Sequence, residues 1–194
     1  MMNFNLKITV ALLVSWILSP NIIFSDLKNT KDDVFNKEFY KQKAAFRIAY
    51  NEAIEAIKKQ EGFKSDIYTD VAGYKTIGYG HIVLEEDTFT DGISEKTADK
   101  ILRKDFDFAV RFAKKETSLE GYKLIAVAHF IFSTGIGKFV RSNIKSKILK
   151  GESINSEFLR CVYYKNSKGQ SIKHRNLVEM RNWEIEMFNR KTIK

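Results

Sequence analysis

Hydrophobic residues recur at helical spacing along much of the chain. The first clear case is Phe46, Tyr50, Ala53 or Ile54, and Ile57, which recur every three to four residues. This spacing predicts a helix over residues 44–60. Gly62 is well placed to end it, because glycine readily adopts the left-handed conformation found after helices.

Further helices are predicted downstream. An apolar stripe between Ser94 and Lys115 comprises Ala98, Ile101, Leu102, Phe106, Ala109 and Phe112. Thr117 and Glu120 have the spacing of a capping box, which predicts that a new helix begins there. Residues 124–132 are apolar on nearly every side, as is typical of a central helix surrounded by others.

Two more apolar patterns complete the helical part. One comprises Phe139, Val140, Ile144, Ile148 and Leu149 and predicts a helix that Gly151 ends. The other comprises Leu177, Val178, Ile185 and Phe188 and predicts the last helix. The helical part should form the larger lobe.

Residues 68–83 are the only stretch that predicts strands. Gly73, Gly78 and Gly80 are interleaved with tyrosine, threonine and isoleucine, a composition suited to short strands and tight turns. The predicted fold class is therefore α+β and mostly α, a two-lobed domain with a small β-hairpin lobe and a larger helical lobe.

The N-terminus has the pattern of an export signal. Lys7 precedes an apolar run that continues to Phe24, and Ser25 is small enough to precede a cleavage site. The alternative is an uncleaved anchor over residues 8–24, although Pro20 and Asn21 interrupt that stretch. Both interpretations predict an exported protein, periplasmic or secreted, with tethering to the membrane in the second case.

The rest of the chain divides into a short polar part and one domain. Residues 26–43 are rich in Lys, Asp and Asn and predict a polar tether or a loosely docked helix. Residues 44–194 are long enough for one well-buried domain. Residues 1–25 are then the signal peptide or signal anchor, and the mature protein is expected to be a monomer.

Composition limits the chemistry. Lys and Arg outnumber Asp and Glu by 33 to 24, and the net charge of +9 favours anionic partners such as cell wall, membrane or nucleic acid. No recognised nucleic-acid motif accompanies the charge, so specific nucleic-acid binding is not expected. Cys161 is the single cysteine, and the three histidines lack paired-ligand spacing. No metal or other cofactor is therefore predicted.

Candidate chemistry concentrates between Glu61 and His81. Glu61 lies at the predicted helix end, where the helix dipole disfavours a negative charge and should raise its pKa. Asp70 and Thr76 each lie three residues from Gly73, so a hairpin turning there would place them opposite one another to hold a water. A protonated acid facing a solvated carboxylate suits glycoside hydrolysis. Spacing alone leaves open a merely solvated glutamate beside an ordinary turn.

The same stretch resembles the active-site motif of phage-type lysozymes, the endolysin muramidases of glycoside hydrolase family 24. The resemblance is carried by Glu61, then Tyr68-x-Asp70, Gly73 and Thr76-Ile-Gly-Tyr-Gly-His81. It implies a lysozyme-like fold and cleavage of the β-1,4 bond between N-acetylmuramic acid and N-acetylglucosamine in the glycan strands of peptidoglycan. Such cleavage is a bacteriolytic activity. It also implies that Glu61 is the general acid, while Asp70 and Thr76 position and activate water.

A weaker similarity extends over residues 44–188. It implies that the sugar cleft is lined by Ile82, Phe132, Ser142 and Asn155. Departures from the family pattern are Ser133, Cys161, Asn176 and Met180, whereas Leu177, Arg181 and Glu184 fit the family's last motif. The departures concern substrate fit and packing of the helical lobe, and the catalytic positions are intact.

Other interpretations remain. His81 resembles a general base, but a structural histidine at the cleft floor is favoured because the family places its acid and base elsewhere. A lytic transglycosylase would cut the same bond with Glu61 alone, and Asp70 and Thr76 argue against it. A non-catalytic, basic wall-binding protein would keep the scaffold without turnover.

Overall fold

A computed structural model describes residues 31–70, 73–89, 91–165 and 169–191. The predicted export segment lies outside these ranges. The described elements are α1 (Lys31–Glu61), β1 (Lys64–Thr69), β2 (Lys75–Gly78), β3 (His81–Ile82), α2 (Glu95–Thr117), α3 (Gly121–Thr134), α4 (Ile136–Arg141), α5 (Ile144–Leu149), α6 (Asn155–Leu159), β4 (Tyr163–Lys165), β5 (Ser171–Lys173) and α7 (Arg175–Asn189). No helix within those ranges combines the length and the apolar character needed to cross a membrane.

The first helix, α1, starts earlier than predicted. Residues 31–43 belong to the stretch predicted as a polar tether or a loosely docked helix. They form the first turns of α1. Neither proline nor glycine interrupts the sequence of α1. Its many Lys, Glu and Gln residues have high helix propensity. The helix ends as predicted, because Gly62 has φ of +68° and its N–H donates to the Lys58 carbonyl at 3.0 Å.

The chain divides into two compact units, residues 1–38 and residues 39–194. The described part of the first unit is the beginning of α1. The second unit holds every other element and the hydrophobic core. This division falls inside α1.

The core of the second unit is built around α3. Ten of its residues between Gly121 and Ile131 are buried, which confirms the prediction of a central helix. The neighbouring helix α2 begins at Ser94, whose side chain accepts a hydrogen bond from the Thr97 N–H. Its apolar stripe, including Leu102 and Phe106, is buried against α3.

The predicted capping box at the start of α3 is wrong. Thr117 is the last residue of α2, and its hydroxyl donates backwards to the Ala113 carbonyl at 2.7 Å. Glu120 is the N-cap of α3 but makes no side-chain cap bond; its carboxylate accepts instead from Lys114 at 2.6 Å. A threonine at a helix C-terminus can donate its hydroxyl to a carbonyl of its own helix. The Thr-x-x-Glu spacing alone therefore did not decide whether Thr117 ends α2 or caps α3.

Two local features differ from the predictions downstream of α3. The single helix expected over residues 139–149 is divided into α4 and α5 at Ser142, whose hydroxyl donates to the Phe139 carbonyl at 2.6 Å and accepts from the Ile144 N–H. A second hairpin, β4–β5, was not predicted. Its apolar residues Tyr163, Tyr164 and Ile172 are all substantially exposed, so no buried alternation marks it in the sequence.

The small lobe is the antiparallel sheet β1-β2-β3. It packs closely on the helical lobe at Gly78, where an added Cβ would stand 3.2 Å from the Ala98 Cβ of α2. Ile77 and Tyr79 on either side of this glycine are buried. The predicted α+β, mostly α fold with a small β lobe and a larger helical lobe is confirmed. The close contact at Gly78 packs the sheet against α2.

Candidate active site

A cleft of about 600 Å³ opens beside the end of α1. Four residues predicted for the site, Glu61, His81, Ile82 and Phe132, line it together. The other lining residues, which were not among the individually predicted site residues, are Tyr79, Gly80, Leu84, Asp105, Phe108 and Ser133. The cleft thus combines apolar walls with carboxyl groups, as a sugar-binding groove requires.

Glu61 is the last residue of α1 and stands at the mouth of this cleft. The Gln60 side-chain amide donates to Glu61 Oε1 at 3.0 Å, and Gly80 lies so close that an added Cβ would stand 3.5 Å from Glu61 Oε2. The residue as a whole is exposed, yet burial around its carboxyl group is the largest influence and raises its pKa. The hydrogen bond from Gln60 and the nearby His129 oppose this rise without cancelling it. Glu61 is thereby favoured as a proton donor.

Asp70 and Thr76 are held by the same residue at the hairpin turn. The Tyr74 N–H donates to Asp70 Oδ1 at 2.8 Å, and the Tyr74 carbonyl accepts from the Thr76 hydroxyl at 3.1 Å. Thr76 is 3% exposed and Asp70 is half-buried. Neither is among the residues that line the cleft around Glu61.

The strand register corrects one detail of the predicted hairpin. Thr76 lies across from Tyr68 and not across from Asp70, whose backbone N–H donates to the Tyr74 carbonyl at 2.9 Å. Asp70 and Thr76 are therefore diagonal neighbours and not a directly opposed pair. The strand pairing is centred one residue earlier in the chain than symmetry about Gly73 suggested.

The charges of both carboxyl groups act on Tyr68. Burial raises the pKa of its hydroxyl, and the negative charges of Glu61 and Asp70 raise it further. Sequence reasoning quoted Tyr68 as part of the motif but gave it no role. A phenol that keeps its proton is available as a hydrogen-bond donor.

His81 lines the cleft, and both of its ring nitrogens contact carboxylates. Its Nδ1 contacts Asp105 Oδ2 at 2.7 Å and its Nε2 contacts Asp87 Oδ2 at 3.0 Å. The hydrogen bond to Asp105 raises the pKa of His81, with Asp87 adding to the rise. Because both ring nitrogens donate to carboxylates when the ring is protonated, neither is available as a base. The favoured interpretation of His81 as structural agrees with this geometry.

Two predicted sugar contacts lie elsewhere. Ser142 is the C-cap of α4 and uses its hydroxyl in the turn to α5. Asn155 is the first residue of α6, and its Oδ1 accepts from Asn189 Nδ2 at 3.3 Å. Neither is among the residues that line the cleft. Their assignment as sugar contacts stays a prediction from the family resemblance.

A buried ionic triad lies behind the cleft wall. Glu184 Oε1 contacts His129 Nδ1 at 2.7 Å and Arg181 Nη2 at 2.9 Å, and all three residues are at most 1% exposed. Arg181 Nη2 also donates to the hydroxyl of Ser133, which lines the cleft. Burial raises the pKa of Glu184 and lowers that of Arg181, and their attraction opposes both shifts. A guanidinium keeps its proton at ordinary pH, so Glu184 is its countercharge.

Metal chemistry finds no support in the described part of the chain. Within it, no group of three or more His, Cys, Asp or Glu side chains has an arrangement that would hold a metal ion. His81 is committed to two carboxylates and His129 to one.

The fold therefore places a carboxyl group with a raised pKa at a helix end, beside a small sheet and a groove. Solved structures share this fold. The muramidase domain of SpmX from Asticaccaulis excentricus superposes with a TM-score of 0.63 at 23% identity, over 72% of this chain and 96% of that one. The endolysin of Escherichia coli O157:H7 phage FAHEc1 gives 0.61 at 22% identity, over 71% and 90%. The active form of the P1 phage endolysin Lyz gives 0.56 at 19% identity, over 76% and 92%.

The family is established by sequence. The phage lysozyme family model matches residues 58–184, and the chain belongs to this family of peptidoglycan-hydrolysing lysozymes. No curated protein matches the chain significantly. The matched residues contain the whole stretch from Glu61 to His81 and end with Glu184 of the buried triad.

Proposed function

We propose that this lysozyme hydrolyses the β-1,4 bond between N-acetylmuramic acid and N-acetylglucosamine, with inversion at the anomeric carbon and with Glu61 as general acid. The observation that carries the proposal is the Glu61 carboxyl group at the cleft mouth, whose pKa burial raises. A carboxyl group that remains protonated closer to neutral pH can give its proton to the leaving glycosidic oxygen.

The reaction needs a water on the face of the sugar opposite the acid. The oxygen of this water attacks the anomeric carbon while Asp70 accepts a proton from the water. At the same time the bond between the anomeric carbon and the protonated leaving oxygen breaks. Thr76 supports this role because its own proton is donated to the Tyr74 carbonyl, so its oxygen acts as an acceptor for a water hydrogen. The Tyr74 N–H, bonded to Asp70 Oδ1, orients the carboxylate.

The glycan strand occupies the cleft beside Glu61. Ile82, which is 45% exposed, and Phe132 offer apolar surface to the sugar rings. Ser142 and Asn155 lie outside the lining of this cleft, and their contacts with a longer bound glycan stay a prediction from the family resemblance. The raised pKa of Tyr68, to which the charges of both carboxyl groups contribute, supports a role as a hydrogen-bond donor that orients the bound water or the leaving group.

The test is product analysis with purified peptidoglycan. We expect Glu61→Gln to lower the rate of release by about 10²–10⁴-fold, the usual contribution of a general acid. Glu55→Gln is the matched control, because Glu55 is on the same helix, is 71% exposed and makes only a weak pair with Lys58. Unchanged clearing of a wall suspension by Glu61→Gln would leave only a basic wall-binding protein.

The same experiment separates hydrolysis from transglycosylation. Hydrolysis adds water and leaves reducing muramic acid ends, whereas a lytic transglycosylase leaves anhydro ends that are lighter by one water. We expect reducing ends from the wild type and a strong loss of them in Asp70→Asn. Anhydro ends from the wild type, or full hydrolysis by Asp70→Asn, contradict the proposed roles.

The setting of the enzyme is part of the proposal. Export through residues 1–25, a catalytic domain over residues 44–194, action as a monomer and attraction of the +9 charge to anionic wall all remain predictions. Cell fractionation and N-terminal sequencing of the mature protein test export and cleavage. A protein found only inside the cytoplasm contradicts them.

A further inference from the structure

A second groove, of about 560 Å³, is formed by α1, the end of α2 and the start of α3. It shares no lining residue with the cleft around Glu61. Its apolar surface is provided by Phe39, Phe46, Val110 and Leu124, and Phe39 is 46% exposed. An open apolar groove of this size is a binding surface, because water covers it at a cost in free energy.

The rim of this groove is strongly basic. It carries Lys43, Arg111, Lys114 and Lys115 against a single carboxylate, Glu120. Glu120 already accepts from Lys114 at 2.6 Å. Lys43 lies with its ammonium group 4.7 Å from the centre of the Phe39 ring, so cation and apolar surface are in direct contact. The occupant must therefore be apolar in its body and anionic at its head.

We propose that the groove binds an anionic phospholipid at a membrane surface. An acyl chain lies along Phe39, Phe46 and Leu124, while the phosphate is held by the basic rim. Lipid headgroups of this kind attract lysine and arginine side chains close to the bilayer surface. The long stems of these residues also cover apolar surface while their charged ends reach the headgroups.

Other occupants match the groove less well. The glycan strand is too polar for the apolar floor, and the apolar residues 8–24 of this chain contain no carboxylate to meet the four cations. A second copy in a symmetric contact would bring its own basic rim against this one. An amphiphile with a negative head complements both the apolar floor and the basic rim.

The place of the groove in the sequence agrees with this role. Phe39 and Lys43 follow the predicted export or anchor segment after a short polar stretch. A lipid site here would keep the enzyme at the membrane beside its wall substrate. The inference does not depend on the chemistry proposed for Glu61, since the two sites share no residue.

The test compares binding of the full chain to two kinds of vesicle, phosphatidylcholine alone and phosphatidylcholine with phosphatidylglycerol. The change is Lys114→Gln with Lys115→Gln. We expect a loss of affinity for the anionic vesicles of roughly 30-fold, because each such lysine contributes a factor of about five. The matched control is Lys138→Gln with Lys150→Gln, which removes the same charge from exposed positions outside the groove and should change affinity by about threefold or less at physiological salt.

A second variant tests the apolar part. Phe39→Ser leaves the buried core intact and should also weaken binding to the anionic vesicles. Equal losses from both lysine pairs, no loss from Phe39→Ser, or equal binding of the wild type to both kinds of vesicle would overturn the proposal. So would a wild-type dimer that Phe39→Ser dissociates, because the occupant would then be a second copy. Clearing of wall suspensions, which should be unchanged in all these variants, reports separately on the catalytic proposal.

Discussion

The buried triad behind the cleft makes a strong prediction about stability. Glu184→Leu removes the only carboxylate that contacts Arg181 and His129, at 2.9 and 2.7 Å. Arg181 is fully buried, so its guanidinium would remain in the core without a countercharge. Breaking a buried ion pair in this way costs about 3–5 kcal/mol of unfolding free energy.

The cost can be measured by thermal and urea unfolding followed by circular dichroism. For a chain of this size each kcal/mol lowers Tm by about 2–4 °C, so the expected fall is about 6–20 °C. Arg181→Met together with Glu184→Leu removes both charges and should be more stable than Glu184→Leu alone, because no unpaired charge remains. The size of this recovery is a direct measure of the burial cost of Arg181.

The control is Glu179→Leu on the same helix. Glu179 is 62% exposed and pairs with Arg175, so its loss should change the unfolding free energy by less than about 1 kcal/mol. A loss below about 1 kcal/mol for Glu184→Leu would refute the argument. A double variant less stable than Glu184→Leu alone would refute it as well. Either result would mean that burying the Arg181 guanidinium without a countercharge costs little free energy.

Three further predictions concern the cleft and core. The two carboxylate partners of His81 raise the pKa of its ring. The ring therefore stabilises the fold fully below its unfolded pKa of about 6.5, and this stabilisation is lost as pH rises through the higher folded pKa. The Tm difference between wild type and His81→Gln should shrink with rising pH, and a constant difference contradicts this. Gly80 has φ of +85°, so Gly80→Ala should lower the unfolding free energy by about 1–2 kcal/mol because a side chain is strained at that angle, and an unchanged Tm would show that the backbone tolerates a side chain there. Phe130 is fully buried, so Phe130→Ala should lower the unfolding free energy by about 3–5 kcal/mol, and a loss under 1 kcal/mol would mean that the core refills the space.

The longer helices were predictable because burial repeats with the helical period. Phe106 in α2 and Ile125 in α3 belong to stripes whose apolar character is visible residue by residue. The short elements were not predictable in this way. Ser142 interrupts a helix through hydrogen bonds to Phe139 and Ile144, and β4–β5 exposes its apolar side chains, so neither leaves a periodic pattern.

The candidate site divides along the same line. The placement of Glu61 at a helix end followed from Gly62 and from the family motif. By contrast, Asp105 reaches His81 from α2, and Arg181 reaches Ser133 from α7. No local pattern reveals contacts between residues so distant in sequence.

The amino-acid sequence by itself determined the helical lobe, the glycine-rich hairpin and the family, because local periodicity and a contiguous motif carry that information. Only the tertiary structure decided which groups surround the carboxyl of Glu61, how Asp70 and Thr76 are anchored on Tyr74, and which residues form the basic groove. The physical reason is that burial and electrostatic environment depend on distances between elements, and those distances arise from packing of the whole core.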